Sequence, residues 1–150
     1  MGKLLDTVSG WLKEDAWKFE IHEEKNVVKT GVKGESASYT LVFRVNEERQ
    51  TVVLYVMSPN GVGEEKRMAV SEYLTRANYG LSIGNFEMDF DDGEVRYKVS
   101  VDVEGSELTA KMVQNMILAG VTTMDHYYTG MMAIVYGKES PINAISKIEG

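Results

Sequence analysis

The chain has 150 residues, of which 43% are hydrophobic and 26% charged, and its formal net charge is −7. This size and composition predict one globular domain over residues 1–150, without help from disulfide bonds or metal. Cysteine is absent and only two histidines occur, His22 and His126, which excludes thiol catalysis, iron–sulfur clusters and a three-histidine metal site within one chain. The acidic balance and the scattered basic residues argue against nucleic acid and anionic lipid as partners.

The first predicted element is a short amphipathic helix over residues 3–14. Its apolar positions recur at helical spacing: Leu4, Leu5, Val8, Trp11 and Leu12. Because its polar face carries both signs of charge, docking on the protein's own sheet is favoured over lying on a membrane. No apolar run approaches the roughly 18 residues of a membrane span, and the first residues lack the apolar block of a signal peptide. We therefore expect a cytoplasmic protein.

Four extended segments come next. Three of them alternate apolar and polar residues, as strands do: residues 17–22, 28–32 and 39–45. In this pattern His22 falls on the polar face, where a solvent-facing imidazole is favoured over a ligand or a base. Residues 51–57 are apolar on both faces and therefore predict a central strand that is covered by helices on at least one side. A helix from Glu64 to a terminator at Gly80 follows.

The segment from Gly84 to Glu104 predicts a β-hairpin. A two-residue type I′ turn at Asp92-Gly93 would place apolar pairs on one face and pairs of opposite charge on the other. These pairs are Phe90–Val95, Met88–Tyr97, Phe86–Val99, Asp89–Arg96 and Glu87–Lys98. The acidic residues around the turn match no frame of the calcium-binding loop, so a charged hairpin turn is favoured over a metal site.

A long apolar-rich helix is predicted from its N-cap Thr109 to about Tyr136. Its apolar residues cover more than one face, so part of it is expected to bury against something beyond its own sheet. Five of the nine methionines lie here, and methionine adapts to irregular or changing partners. A core and homodimer seam is favoured, and an adaptable peptide-binding surface stays open as the alternative. The candidate partner-binding residues are Met112, Met116, Met124, Met131 and Met132.

One cluster on this helix suggests a different function. Asp125 and His126 resemble a carboxylate–imidazole dyad, but adjacent helix positions point about 100° apart and cannot orient one another. We therefore predict no catalytic, cofactor-binding or metal-binding residue. A small-molecule sensor or cryptic enzyme with a pocket near His126, which would include Tyr127 and Tyr128, remains the alternative hypothesis. The chain ends in a short helix that begins at Ser140-Pro141 and docks through three isoleucines: Ile142, Ile145 and Ile148.

The order of these elements predicts an α+β fold, with a single twisted antiparallel sheet and helices packed on it. Several motifs resemble the YbjN-type family, most strongly over residues 64–150: Arg76-Ala77-Asn78-Tyr79-Gly80-Leu81, Gly84-Asn85-Phe86-Glu87-Met88-Asp89, Asp92-Gly93-Glu94-Val95-Arg96-Tyr97 and the Ser140-Pro141 helix start. Members of that family are described as bacterial sensory transduction regulators, and their fold resembles that of type III secretion chaperones.

The resemblance implies a cytoplasmic bacterial homodimer that binds a client or regulatory protein and has no catalytic residues. Chaperones of the related fold hold an extended segment of a client on their sheet and helix surfaces, a mode that uses exposed apolar grooves or sheet edges. The predicted function is therefore a noncatalytic protein-binding module, a chaperone-like or regulatory adaptor.

Overall fold

The computed structural model describes residues 1–150 and contains four α-helices and six strands. In chain order they are α1 (Lys3–Glu14), β1 (Phe19–His22), β2 (Val27–Lys33), β3 (Ser38–Asn46), β4 (Thr51–Met57), α2 (Arg67–Tyr79), β5 (Asn85–Met88), β6 (Val95–Asp102), α3 (Ala110–Val135) and α4 (Pro141–Glu149). Single 3₁₀ turns, Glu23–Lys25 and Glu64–Lys66, precede β2 and α2. The predicted elements are all present, with ends displaced by a few residues at most.

The six strands form one antiparallel sheet in the order β1-β2-β3-β4-β6-β5. As predicted, β4 is central, between β3 and β6. Burial alternates along the strands: Leu41 and Phe43 of β3 are buried, whereas Val42 and Arg44, which alternate with them, face the other side. All four helices lie on the buried side, where α3 packs on β4 and β6, α1 on β1 to β3, and α2 on β5. The opposite side, which we call the open face, carries no helix.

Helix α3 lies in the middle of the helical layer, and its neighbours account for most of its wide apolar surface. It contacts the sheet on one side and α1, α2 and α4 on others. A Cβ atom at Gly120 would lie 2.7 Å from Cγ2 of Val56, so the glycine lets α3 approach β4 closely. The burial expected beyond the sheet is thus supplied by helices of the same chain. Leu118 is the large apolar side chain of α3 itself that remains mostly exposed, at 54%.

Helix starts are stabilised both as predicted and in one way that the local sequence does not show. The hydroxyl oxygens of Thr109 and Ser140 accept hydrogen bonds from the backbone N–H groups three residues later, at 3.1 and 3.2 Å. Helix α1 has no such cap, and the Glu47 carboxylate from the β3–β4 turn accepts the N–H groups of its Leu4 and Leu5, both at 3.0 Å. The prediction that Ile142 docks α4 is wrong, because this side chain is 54% exposed.

The β5–β6 hairpin exists, but its predicted register is wrong by two residues. Phe86 pairs with Tyr97 and Glu87 pairs with Arg96, so a longer loop over residues 89–94 replaces the two-residue turn. The Asp89 and Asp92 carboxylates cap this loop by accepting the N–H groups two residues on, at 2.8 and 2.9 Å. A shift of two residues preserves the sheet faces, so the predicted division into an apolar and a charged face holds.

Contacts from elsewhere in the chain hold the longer loop. The N–H of Val62 donates to the Gly93 carbonyl at 2.9 Å. From the start of α2, the Arg67 guanidinium donates to the carbonyl oxygens of Val62 and Phe90, both at 3.0 Å. Phe90, expected to face Val95, is instead 50% exposed. Residues before and at the start of α2 therefore hold the hairpin loop in its observed conformation.

Replacing Gly93 by alanine is expected to destabilise the protein more than replacing Gly105. Both glycines have a φ of +79°, a conformation that costs other residues about 1–2 kcal/mol. A Cβ atom at Gly105 would meet nothing within 4 Å, whereas one at Gly93 would collide with the Val62 carbonyl. In urea unfolding followed by circular dichroism we expect Gly105→Ala to lose about 1–2 kcal/mol and Gly93→Ala to lose more. Equal losses would show that the Val62 contact does not constrain the loop.

Candidate functional site

The open face of the sheet contains a groove of about 340 Å³ that crosses β2, β3, β4 and β6. We call it the basic groove; its lining residues are His22, Lys25, Val27, Lys29, Val42, Arg44, Tyr55, Met57 and Arg96. They meet because strand alternation points them to the same side and the register aligns them: Lys29 lies opposite Val42, and Val42 opposite Tyr55. No acidic residue lines the groove, although the chain as a whole carries a net charge of −7.

The ring of Tyr55 forms the centre of this groove. The guanidinium carbon of Arg96 lies 4.0 Å from the ring centroid, and that of Arg44 lies 5.9 Å away. Both separations allow cation–π attraction, which is strongest when the cation is partly removed from water. Val42 and Met57 lie beside the ring and are half-buried. The result is an apolar floor between two guanidinium groups.

Charge on this face is only partly neutralised. Glu87 lies 2.5 Å from Nε of Arg96 and 3.1 Å from Nζ of Lys98. Burial opposes ionisation of Glu87, but hydrogen bonds and charge attraction from Arg96 and Lys98 outweigh it and lower the pKa of its carboxyl group. Glu87 is thus the ion-pair partner of both Arg96 and Lys98. No ion pair is formed by the other three basic residues of the groove: Lys25, Lys29 and Arg44.

His22 lies on the open face, as its place in the sequence pattern predicts, at the β1 end of the basic groove. Its Nε2 atom is 3.5 Å from a Glu20 carboxylate oxygen and is buried without a hydrogen-bond partner. The side chain as a whole is 37% exposed, so the imidazole faces solvent in part, as predicted, and is enclosed at Nε2.

A second concavity surrounds His126, where the alternative hypothesis placed a pocket. It is a shallow depression of about 810 Å³ between α3, the β2–β3 turn and α4. The Asp125 carboxylate faces this turn and accepts the N–H groups of Glu35 and Ser36, both at 2.9 Å, and the Tyr39 hydroxyl at 2.6 Å. Asp125 thus fastens the β2–β3 turn to α3. His126 is exposed and makes no hydrogen bond to Asp125.

The tyrosines named in the alternative hypothesis do not converge on this depression. The Tyr127 hydroxyl donates to the Glu149 carboxylate at 2.7 Å, and the Tyr128 hydroxyl donates to Asn60. Burial, followed by the hydrogen bond to Glu149, raises the pKa of Tyr127 to about 12. Neither ring lines the depression. The structure therefore does not bring the four polar residues together as one site.

The five candidate methionines fall into two groups. Met116, Met124 and Met131 are buried in the core between the helices and the sheet, because they occupy the inward stripes of α3. Without a rearrangement of α3 they offer nothing to a partner. Met112 and Met132 are half-buried and pack against the core from its margin. Of the five candidate methionines, Met112 and Met132 are thus the two that are partly accessible to a partner.

A sequence model of the YbjN family, described as "Putative bacterial sensory transduction regulator", matches residues 4–132. The chain belongs to the YbjN family. The match begins at α1, so the family similarity includes the amino-terminal half, where the motifs are weak, and it ends before the Ser140-Pro141 helix start.

Solved structures extend this family assignment to the fold. The crystal structure of YbjN from E. coli is 12% identical, has a TM-score of 0.60, and is matched over 83% of this chain and 91% of that chain. The crystal structure of the ExsC-ExsE complex is 11% identical with a TM-score of 0.57, over 86% and 96% of the two chains. These likenesses confirm the predicted α+β fold of the type III secretion chaperone-like kind. A comparison with curated proteins gave no significant match.

The basic groove of this YbjN-family chain was not predicted from the sequence. Its residues come from five strands (β1 to β4 and β6) and the turn before β2, and they become neighbours only through strand pairing. The available signal was the chemistry of the outward strand positions, where Lys29, Arg44 and Arg96 alternate with buried residues.

None of the helices combines the length and apolar composition needed to cross a bilayer.

Replacing Asp125 by asparagine is expected to destabilise the protein at neutral pH by about 1–3 kcal/mol, since the negative charge and one of the two acceptor oxygens are lost. Burial opposes ionisation of Asp125, but hydrogen bonds from Tyr39, Ser36 and Glu35 outweigh it and lower the pKa of its carboxyl group. A carboxyl group with a lowered folded-state pKa stabilises the fold above its unfolded pKa, about 3.9, and this stability is lost as pH falls through the folded pKa.

The measurement is denaturant unfolding of both proteins between pH 7 and pH 2.5. We expect the stability difference to shrink at the acidic end of this range. Asp91→Asn is the matched control, because Asp91 lies exposed on the hairpin loop and its replacement is expected to change stability little at any pH. A constant difference across the range would contradict the role assigned to the Asp125 charge.

Proposed function

We propose that this chain is a noncatalytic protein-binding module, a chaperone-like or regulatory adaptor of the YbjN family. The observation that carries the proposal is the open sheet face, where half-buried apolar side chains lie among four basic residues, only one of which, Arg96, is ion-paired. An exposed face of an antiparallel sheet is normally polar. Apolar surface at its centre, rimmed by charge, is typical of an interaction site.

The shape of the basic groove favours a protein segment over a small metabolite. Ligand pockets for small molecules are concave and bury most of the ligand, whereas this groove is a shallow channel across four neighbouring strands. The ExsC-ExsE complex, whose fold is similar, shows one protein of this architecture with a bound protein partner. This second argument rests on fold analogy alone.

The noncatalytic part of the proposal rests on how the polar residues of α3 are used. Asp125 fastens a turn, and the hydroxyl groups of Tyr127 and Tyr128 are held by Glu149 and Asn60. A base that activates a nucleophile is typically oriented by a hydrogen bond from a third group. His126 is not among the side chains that form hydrogen bonds, and its ring meets the edge of the Tyr127 ring, with centroids 5.0 Å apart.

We also propose that the protein works in the cytoplasm as a homodimer. The open face is the client surface in this proposal, so the two copies would meet through the helical layer. There, Leu118 is exposed on the outer stripe of α3 beside the half-buried Val121, and the half-buried Met132 lies on the same side of the helix. These three side chains are the proposed seam between copies, while Met112 lies at the opposite margin of α3.

Light scattering of the purified protein tests the homodimer. We expect a mass of twice the 16.8 kDa chain, and a mass close to one chain for Leu118→Asp, because a carboxylate in an apolar seam is costly to bury. Asn115→Asp, on the same exposed stripe one turn earlier, is the control that should stay dimeric. A monomeric wild-type protein, or a Leu118→Asp dimer, would contradict this seam.

Co-purification from a lysate of the source bacterium tests the adaptor function. The baits are the wild-type protein, Tyr55→Ala in the basic groove, and His126→Ala in the depression. We expect the wild-type bait and His126→Ala to retain the same proteins and Tyr55→Ala to lose them, with thermal unfolding confirming that each bait is folded. Thermal stabilisation by a metabolite that His126→Ala abolishes, without any retained protein, would favour the sensor or enzyme hypothesis.

A further inference from the structure

We propose that the basic groove binds an extended acidic segment of a partner protein, with an apolar side chain of that segment placed against Tyr55. This inference rests on the proposed protein-binding function and adds the chemistry of the partner. The proposed ligand is a peptide whose residues at i, i+2 and i+4 are acidic, apolar and acidic. Three features of the groove support it: its charge, its dimensions and the arrangement of its arginines.

The first feature is the charge of the groove relative to the rest of the molecule. Four of its nine lining residues are lysine or arginine and none is acidic, while the whole chain has 23 acidic and 16 basic residues. The rest of the chain thus has 12 basic and 23 acidic residues, so its net field repels an acidic segment, while the groove attracts it. Complementary fields of this kind steer encounters and suppress binding in other places.

The second feature is the width of the groove. It crosses four neighbouring strands from Lys29 on β2 to Arg96 on β6, and at about 4.8 Å per strand this is roughly 14 Å. An extended peptide rises about 3.3 Å per residue, so residues i and i+4 are roughly 13 Å apart. Side chains at i, i+2 and i+4 point to the same side. Two carboxylates thus reach the two ends of the groove, where the one at Arg96 shares that guanidinium with Glu87, while the residue between them faces Tyr55.

The third feature is the arrangement of the arginines around Tyr55. Arg44 and Arg96 lie over the tyrosine ring, and a guanidinium group stacked on an aromatic ring still presents its N–H donors at its edges. Those donors match the two oxygens of a carboxylate. Arg44 forms no ion pair within the chain, so a partner's carboxylate would displace only water from it.

The chain itself carries a segment of similar chemistry, the acidic hairpin loop with Phe90 at its tip. A second copy of the protein is nevertheless a poorer occupant. The carboxylates of Asp89 and Asp92 already accept backbone N–H groups, and the loop is a closed turn fastened by Arg67. It cannot present the extended spacing that the groove fits.

The test uses labelled peptides and fluorescence anisotropy at low salt. The acidic probe has the core Glu-Ser-Phe-Ser-Glu, and its counterparts replace both glutamates by glutamine or by lysine. We expect the acidic probe to bind at least tenfold more tightly than either counterpart, and its binding to weaken as salt is raised. Arg44→Glu is expected to weaken it at least tenfold, and Lys138→Glu, an exposed charge reversal distant from the groove, to leave it unchanged.

Charge reversal makes the test independent of simple damage to the fold. Lys29 and Arg44 are exposed, so the double variant Lys29→Glu, Arg44→Glu is expected to fold and to prefer the lysine probe. Equal binding of all three probes to the wild-type protein would overturn the acidic-segment inference while leaving the protein-binding proposal intact. Failure to bind any probe, together with an empty co-purification, would overturn both.

Two further outcomes would assign the groove to a different kind of binding partner. Binding of a single-stranded oligonucleotide that Arg44→Glu abolishes, with no binding of the acidic probe, would assign the groove to nucleic acid and overturn the inference. A dimer that becomes monomeric with Arg44→Glu and also with Phe90→Ser would assign the groove to the hairpin loop of a second copy, and would overturn it as well.

Discussion

The close packing of α3 on the central strand β4 is the contact on which the rest of the fold depends. Gly120 removes the side chain that would otherwise hold the helix away from Val56, so the helix buries the inward residues of β4 and β6 directly. The other helices then pack around α3. Because every helix lies on this side, the opposite face of the sheet is left uncovered, and the sheet is divided into a helix-covered side and an open side.

Several charged and polar groups on the helical side make contacts that support the fold: Asp125 holds the β2–β3 turn, Glu47 caps α1 and Tyr73 donates to the Tyr127 carbonyl at 2.8 Å. On the open face the pairing is incomplete, since Glu87 balances Arg96 and Lys98 while Arg44 forms no ion pair. Unpaired charge beside apolar surface adds little to the stability of a monomer and is suited to recognition.

The elements could be predicted from local patterns, and the failures occur where distant residues intervene. The helix starts at Thr109 and Ser140 depend on a hydroxyl group and a nearby backbone N–H, so the sequence shows them. The observed hairpin loop is held by Val62 and Arg67, which lie outside the hairpin. Likewise, the wide apolar surface of α3 suggests a missing partner until α1, α2 and α4 are placed around it. Burial of Met116, Met124 and Met131 is the consequence.

The sequence by itself determined the α+β class, the order of the elements, the two-sided character of the strands and the absence of cysteine chemistry, because these depend on composition and on short-range periodicity. Only the tertiary structure decided which side of the sheet is covered and which residues become neighbours on the other. Lys29, Arg44, Tyr55 and Arg96 form a groove through strand pairing alone. Register is a relation between segments far apart in the chain, and local patterns do not encode it.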